Sequence, residues 1–338
     1  MINIFPIDFS FISWVQSFGP WLLKPMLLFS FLGTENFYIL VIPAIYWCFD
    51  SILGIRIGIM LVLTSGFNTI FKFIFHSPRP YWLKSTMQAH YHETSFGAPS
   101  GHAQNAASIW GLLGSDLSRR SPSIKVFGIT MPVFSAIILI FIIGFSRIYL
   151  GVHFTIDVLL GWFLGLLLLL VFLRLEKPIA QWFRDLSLMS QIGIAFLSSF
   201  IFFFSGWLII SLQGSWKVPL EWVQNALMIA PKEPINPFNL EGMLTIGGIW
   251  FGLISGASWL FNKLGKPFDA SGSEWQRLVR YIVGTIGVFI LWYGLGSIFP
   301  RTQNFLGFSL RYLRYTLVGV WVAALAPLLF IKIKLANR

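Results

Sequence analysis

Residues 146–157 read SRIYLGVHFTID and stand between two of the most apolar runs of the chain, roughly 124–146 and 152–173. An arginine, a histidine and an aspartate interrupt hydrocarbon-compatible sequence there. Ionisable groups in such a place are costly, so they face a cavity or a partner instead of lipid. The surrounding composition settles what kind of chain this is: of 338 residues 56% are hydrophobic and only 11% are charged, with mean hydropathy +0.74. A soluble domain carries roughly a quarter of its residues as charges, so the expectation is an all-α, polytopic integral membrane protein.

Working outward from the interrupted run, segments apolar enough to cross a bilayer fall at roughly 35–50, 52–75, 102–118, 124–146, 152–173, 190–212, 243–263, 278–298 and 312–334, about nine helices. The formal net charge of +11 sits in short basic clusters between these runs: SDLSRRSPSIK, LRLEKPIAQWFRD, NKLGKPFDASGSEWQRLVR and the tail KIKLANR. That is a positive-inside pattern and not a nucleic-acid footprint, so no nucleic-acid partner is expected. Strict alternation puts these four clusters on the cytoplasmic side. The N-terminus, the loop 76–101, the turn 146–151 and the loop 213–242 then lie on the other side. PRTQNFLGFSLRYLR is the exception, basic yet assigned outside. Cys48, the single cysteine, lies among apolar and aromatic neighbours and reads as a core residue. The N-terminal residues 1–34 lack a signal-peptide pattern, and Gly19-Pro20 and Lys24-Pro25 break any long helix, so they read as an interfacial amphipathic segment, with a poor transmembrane helix as the alternative.

Three short motifs carry chemistry. Lys72 closes the second apolar run and Arg79 follows seven residues later, before Pro80. Each alone is an ordinary interfacial cation. PSGH, residues 99–102, opens the next run, and a helix start at Ser100 or Gly101 offers free backbone N–H groups to an anion, although a plain N-cap would look the same. In the third motif His153 and Asp157 stand four apart on one helical face. There a carboxylate can hold one ring nitrogen and leave the other a free lone pair, as a nucleophile or base requires, or simply complete an interfacial ion pair. Alternation sends Lys72, Arg79, His102, Arg147 and His153 to one membrane face. Three cations, a helix start and two histidines in one pocket make a phosphate site.

Lysine, six residues, Arg-Pro; Pro-Ser-Gly-His; then Ser-Arg, five residues, His, three residues, Asp: in this order the motifs resemble those of the type 2 phosphatidic acid phosphatase superfamily. That superfamily includes lipid phosphate phosphatases, undecaprenyl-pyrophosphate phosphatases, glucose-6-phosphatases and vanadium haloperoxidases. The resemblance implies a catalytic transmembrane core at 35–175, followed by helices over 176–338. It further implies that His153 attacks phosphorus to give a phosphohistidine, oriented by Asp157. His102 would protonate the leaving group and then activate water, while Lys72, Arg79, Arg147 and the backbone at Ser100 and Gly101 hold phosphate oxygens. No metal and no cofactor are implied. His90, His92 and Glu93 could form a metal site, with a solvated loop as the plainer reading. The nine-span layout and the RPYW stretch are also similar to glucose-6-phosphatases.

The expected substrate is a phosphate ester or pyrophosphate of a lipid, hydrolysed at the non-cytoplasmic face of a membrane, taken to be a bacterial inner membrane. A sugar-phosphate phosphatase is the alternative, followed by a non-catalytic phospholipid-binding or transport protein. The loop 213–242 reads as a connection before it reads as a lid. For the helices after residue 190 three roles are open: substrate entry, a homo-oligomer contact, or bracing of the core.

Overall fold

The structure is a computed structural model that describes residues 5–120, 124–300 and 302–337. Helices dominate it. The strands among the described residues are Lys125–Val126 and Ile129–Thr130, an antiparallel pair with Lys125 opposite Thr130. Seven helices are long and apolar enough to cross a membrane: Ser51–Leu83, Met131–Tyr149, Thr155–Arg184, Leu188–Leu212, Glu241–Leu264, Glu274–Ile298 and Phe305–Lys332. The pair Pro20–Phe31 and Glu35–Cys48, bent by 53°, makes an eighth if it counts as one crossing.

The count falls below about nine for two local reasons. Glu35–Cys48 has 14 residues, which reach about 21 Å against a hydrocarbon core of about 30 Å. The helix that runs from Gly101 to Arg120, through a π-helical turn at Ala106–Trp110, forms where expected but carries Gln104, Asn105, Ser108 and Asp116. All four are buried, so the polar stripe faces protein.

The N-terminal segment is helical over Phe5–Gln16 and Leu23–Phe31. Gly19, at φ 106°, breaks the chain as its sequence suggests. Pro25 does not, because it falls in the first turn of Leu23–Phe31, where no intrahelical donor is needed. Asp8, Ile12 and Val15 are buried. The Asp8 carboxylate accepts from the Thr155 N–H at 3.1 Å and its hydroxyl at 2.6 Å. It thereby serves as the anionic cap of the helix Thr155–Arg184.

The chain forms two compact units. One comprises residues up to 37, 67–172 and 208–239. Its core includes Ile12, Trp82, Phe96, Tyr149, Val152 and Phe154. Within it the helix that begins at Thr155 lies directly on the one that begins at Gly101: a Cβ at Gly161 would stand 2.6 Å from the Ser100 carbonyl, and one at Gly165 would stand 2.5 Å from that of Gln104. The other unit comprises 38–66, 173–207 and 240–338. Its core includes Tyr46, Trp47, Leu260, Phe268 and Phe330. Here Arg56 and Glu176 pair at 2.7 Å.

Candidate active site

All the residues picked out by the three motifs fall in the first unit. Lys72 lies in the last turn of Ser51–Phe75, buried, with its Nζ donating to Ser95 Oγ at 2.8 Å. His76, at φ 49°, then turns the chain. Arg79 is extended, as a residue before proline prefers. Its guanidinium is fully buried and donates from Nε to the Ser95 carbonyl at 2.7 Å. Its Nη2 donates to the Phe96 carbonyl at 3.1 Å and to Ser95 Oγ at 3.2 Å, and its Nη1 to the Val152 carbonyl at 3.0 Å. One arginine thus ties the loop 95–96 to the loop that carries His153.

His153 is 1% exposed and Asp157 is 0% exposed. His153 Nδ1 lies 3.3 Å from Asp157 Oδ2, which also accepts from the Phe154 N–H at 3.0 Å. Its Nε2 lies 3.2 Å from Arg79 Nη1. A guanidinium only donates, so Nε2 is the lone-pair nitrogen and the ring proton sits on Nδ1 toward the carboxylate. Burial, reinforced by the charges of Arg79, Arg147 and Lys72, holds the imidazole well below its ordinary pKa, so it stays neutral. The turn before it depends on Gly151 at φ 70°, where a Cβ would run into the Gln88 carbonyl.

Arg147 ends Met131–Tyr149 and is buried. Nη1 donates to Ser30 Oγ at 2.5 Å and Nη2 to Glu93 Oε1 at 2.6 Å, while Nε is buried without a partner among the described residues. Ser100 caps the helix that opens at Gly101, its hydroxyl accepting from the Ala103 N–H at 3.5 Å. Its own N–H is engaged by the Asp157 carbonyl at 2.9 Å. Of the two backbone groups expected to face an anion, that of Ser100 is therefore used to lock the two helices together. His102 sits on the next position, against Gly33, where an added Cβ would stand 3.2 Å from its own Cβ.

Glu93 is the residue the motifs missed as part of this cluster. Besides Arg147, it faces Arg79 at 3.6 Å. Its carboxylate interacts electrostatically with Arg79, Arg147, His102 and Lys72, while His153 feels Arg79, Arg147, Lys72 and His102. The sequence held one clue: Glu93 is the sole acid of the loop 76–101, facing a surplus of cations. Its neighbours go elsewhere. The His90 ring stacks on Tyr149 with centroids 6.0 Å apart, and His92 lies beside Tyr81 at 6.1 Å. Among the described residues no group of three or more His, Cys, Asp or Glu side chains is placed to hold a metal ion.

The loops meet as the alternation of runs requires. The His90 N–H donates to the Leu150 carbonyl at 2.9 Å and the Asn236 N–H to the Thr94 carbonyl at 3.1 Å. The stretch 213–239 is more than a connection. Trp216 stacks on His76 at 4.6 Å, Phe238 lies 5.1 Å from Phe96, and Asn225 Nδ2 donates to the Trp82 carbonyl at 2.9 Å.

Three buried cations gathered beside two imidazoles outnumber the carboxylate, Glu93, that faces them, and a cluster of that charge suits an anion such as phosphate; among the apolar helices around it, the class this points to is the integral membrane phosphatases. Residues 53–179 match the model of the PAP2 superfamily, and residues 244–338 match that of the PAP2 superfamily phosphatase, transmembrane extension. The chain is 30% identical over 166 residues to phosphatidylglycerophosphatase B of Bacillus subtilis, covering 48% of this chain and 79% of that protein. It is 27% identical over 234 residues to glucose-6-phosphatase 3 of Bos taurus, covering 62% of this chain and 66% of that protein. The crystal structure of a transmembrane PAP2-type phosphatidylglycerolphosphate phosphatase from Bacillus subtilis aligns with 53% of this chain and 89% of its own, at 27% identity and a TM-score of 0.46. The chain belongs to the PAP2 superfamily of membrane phosphatases.

Proposed function

We propose that the protein hydrolyses the phosphate monoester or pyrophosphate of a lipid through a phosphohistidine on His153. The observation that carries this reading is the polarity of the His153 ring, Nδ1 held toward Asp157 and the Nε2 lone pair turned into the cation cluster. In the first step Nε2 bonds to phosphorus as the bond to the leaving oxygen breaks, and His102 gives that oxygen its proton. In the second, His102 takes a proton from water, whose oxygen displaces Nε2 and releases phosphate with the neutral imidazole restored. Asp157 stabilises the positive charge that His153 carries between the steps. Lys72, Arg79, Arg147 and the N–H of Gly101 hold the non-bridging oxygens, where charge spreads at the transition state. Ser100 acts by positioning that helix start.

A lipid substrate is supported by the membrane setting and by the names of the relatives, which include a phosphatidylglycerophosphatase and sphingosine-1-phosphate phosphatases. A sugar phosphate is the second reading, favoured by the long match to glucose-6-phosphatase 3. The positive-inside pattern supports a site on the non-cytoplasmic face of the membrane.

Phosphate release by purified protein from diacyl, polyprenyl, sphingoid and sugar phosphates separates the two readings. His153→Ala is expected to lower turnover by about a thousandfold or more with every substrate. Turnover equal to the parent would remove the nucleophile assignment. His102→Ala is expected to be as damaging with an alkyl leaving group and milder with p-nitrophenyl phosphate, whose phenolate departs without a proton. Equal losses with both would remove the general-acid role.

A further inference from the structure

The basic stretch that breaks the positive-inside pattern lies in the second unit, beside a cavity of about 440 Å³. That volume is within the roughly 300–1,000 Å³ range of small-ligand sites. Its walls come from the start of Glu241–Leu264, the end of Glu274–Ile298 and the start of Phe305–Lys332. Three candidate crossings therefore meet at one membrane boundary. The surroundings suit that level: Tyr293 is 71% exposed and Phe305 is 87% exposed.

Two arginines line the cavity, and they differ. Arg311 is satisfied, its Nη1 pairing with Glu241 at 2.6 Å and its Nε donating to Thr245 Oγ1 at 3.0 Å. Arg314 has no carboxylate in ion-pair range among the described residues, and its Nε is buried without a hydrogen-bond partner. The protein nevertheless builds a seat for it. The guanidinium lies over the Tyr315 ring, 4.8 Å from the centroid, and the Tyr315 hydroxyl accepts from Trp292 Nε1 at 3.2 Å. Gly296 leaves the necessary room, since a Cβ there would stand 2.5 Å from Arg314 Nη1. Trp292 and Tyr293 belong to a π-helical turn, Ile290–Gly294, an irregularity that often marks a functional site.

We infer that this cavity is a second anion site, in which Arg314 binds the phosphate of a phospholipid headgroup. With Arg311 cancelled by Glu241, the charged lining residues leave one positive charge, which matches the single negative charge of a phosphodiester. None of the residues assigned to hydrolysis contributes to it, so the inference stands apart from the proposed reaction.

Native mass spectrometry of the full-length protein in detergent tests it, with dioleoyl phosphatidylglycerol as ligand and dioleoylglycerol, which has the same tails and no phosphate, as control. Arg314→Gln is expected to weaken phosphatidylglycerol binding at least tenfold. Gly296→Ala, which keeps the charge but pushes the guanidinium from its seat, is expected to weaken it as well. Displacement by excess inorganic phosphate would identify a free phosphate as the resident, and retention would identify the lipid. Phosphatidylglycerol binding that neither variant weakens, or equal binding of dioleoylglycerol, would overturn the assignment.

Discussion

The Glu93 carboxylate lies 2.6 Å from Arg147 and 3.6 Å from Arg79. Burial works to raise its pKa, but the two guanidinium groups, aided by His102 and Lys72, outweigh it and pull the value down to about 2. A carboxylate with a depressed folded-state pKa contributes stability that is present above its ordinary 4.5 and fades as the pH falls toward 2. Glu93→Gln is therefore expected to be less stable than the parent by about 1–3 kcal/mol at neutral pH, with a gap that closes on acidification. Melting curves of the detergent-solubilised pair across that range check the sign, and parallel curves at all pH values would contradict it. His153 makes a kinetic counterpart. Because its ring is held well below the ordinary range, the nucleophile stays unprotonated under mildly acidic conditions. Any acid limb in kcat/KM near pH 6.5 is then expected to follow ionisation of the substrate phosphate and not of His153, shifting when a substrate with a different second phosphate pKa is used; a limb that stays fixed across such substrates would contradict this. His153 and Asp157 were legible in sequence because four-residue spacing fixes a shared helical face. Glu93 was not, because a loop has no period and nothing local says which cation a carboxylate will reach.

At the scale of elements, the stretch 213–239 braces the loop that bears Arg79. Trp216 and Phe238 both lie against His76 and Phe96, and Trp222 lies 6.1 Å from Trp82. Phe96 in turn offers its carbonyl to Arg79. Trp216→Ala removes one wall of this aromatic group; because the ring is 38% exposed, the loss is expected to be about 1–2 kcal/mol, less than for a fully buried tryptophan. The expected kinetic result is a fall of about tenfold in kcat/KM, partly recovered by Trp216→Phe, although neither variant touches a group that meets substrate. Unchanged kinetics in Trp216→Ala would show that the stretch is a connection after all. That reading was natural from sequence, since interlocking aromatics across long separations leave no periodicity, whereas the apolar runs that became the long helices advertise themselves. Ser100 shows the same limit. Its place at a helix start was visible, but the engagement of its N–H by the Asp157 carbonyl depends on the close contact at Gly161 between two helices more than fifty residues apart.

For the whole molecule, the issue is whether Gly101–Arg120 crosses the membrane. Hydropathy speaks against it, yet Gln104, Asn105, Ser108 and Asp116 are buried, and a buried polar stripe needs no tolerance from lipid. If it crosses, the ends at Arg119 and Arg120 join Arg174, Lys177 and Arg184, the 263–280 loop and the tail on one side, and every loop of the catalytic cluster falls on the other. Cysteine labelling tests this directly, since the sole native cysteine, Cys48, is buried and can be replaced. Glu221→Cys and Lys177→Cys sit at exposed positions on either side of the single candidate crossing Leu188–Leu212. In intact cells a membrane-impermeant maleimide is expected to label the cysteine at 221 and not that at 177, with the second becoming reactive only after permeabilisation. Ser118→Cys, near the end of the disputed helix, should behave like position 177. Labelling of position 118 from outside would mean that the helix turns back, and the positive-inside alignment of the basic loops would then fail at its first cluster.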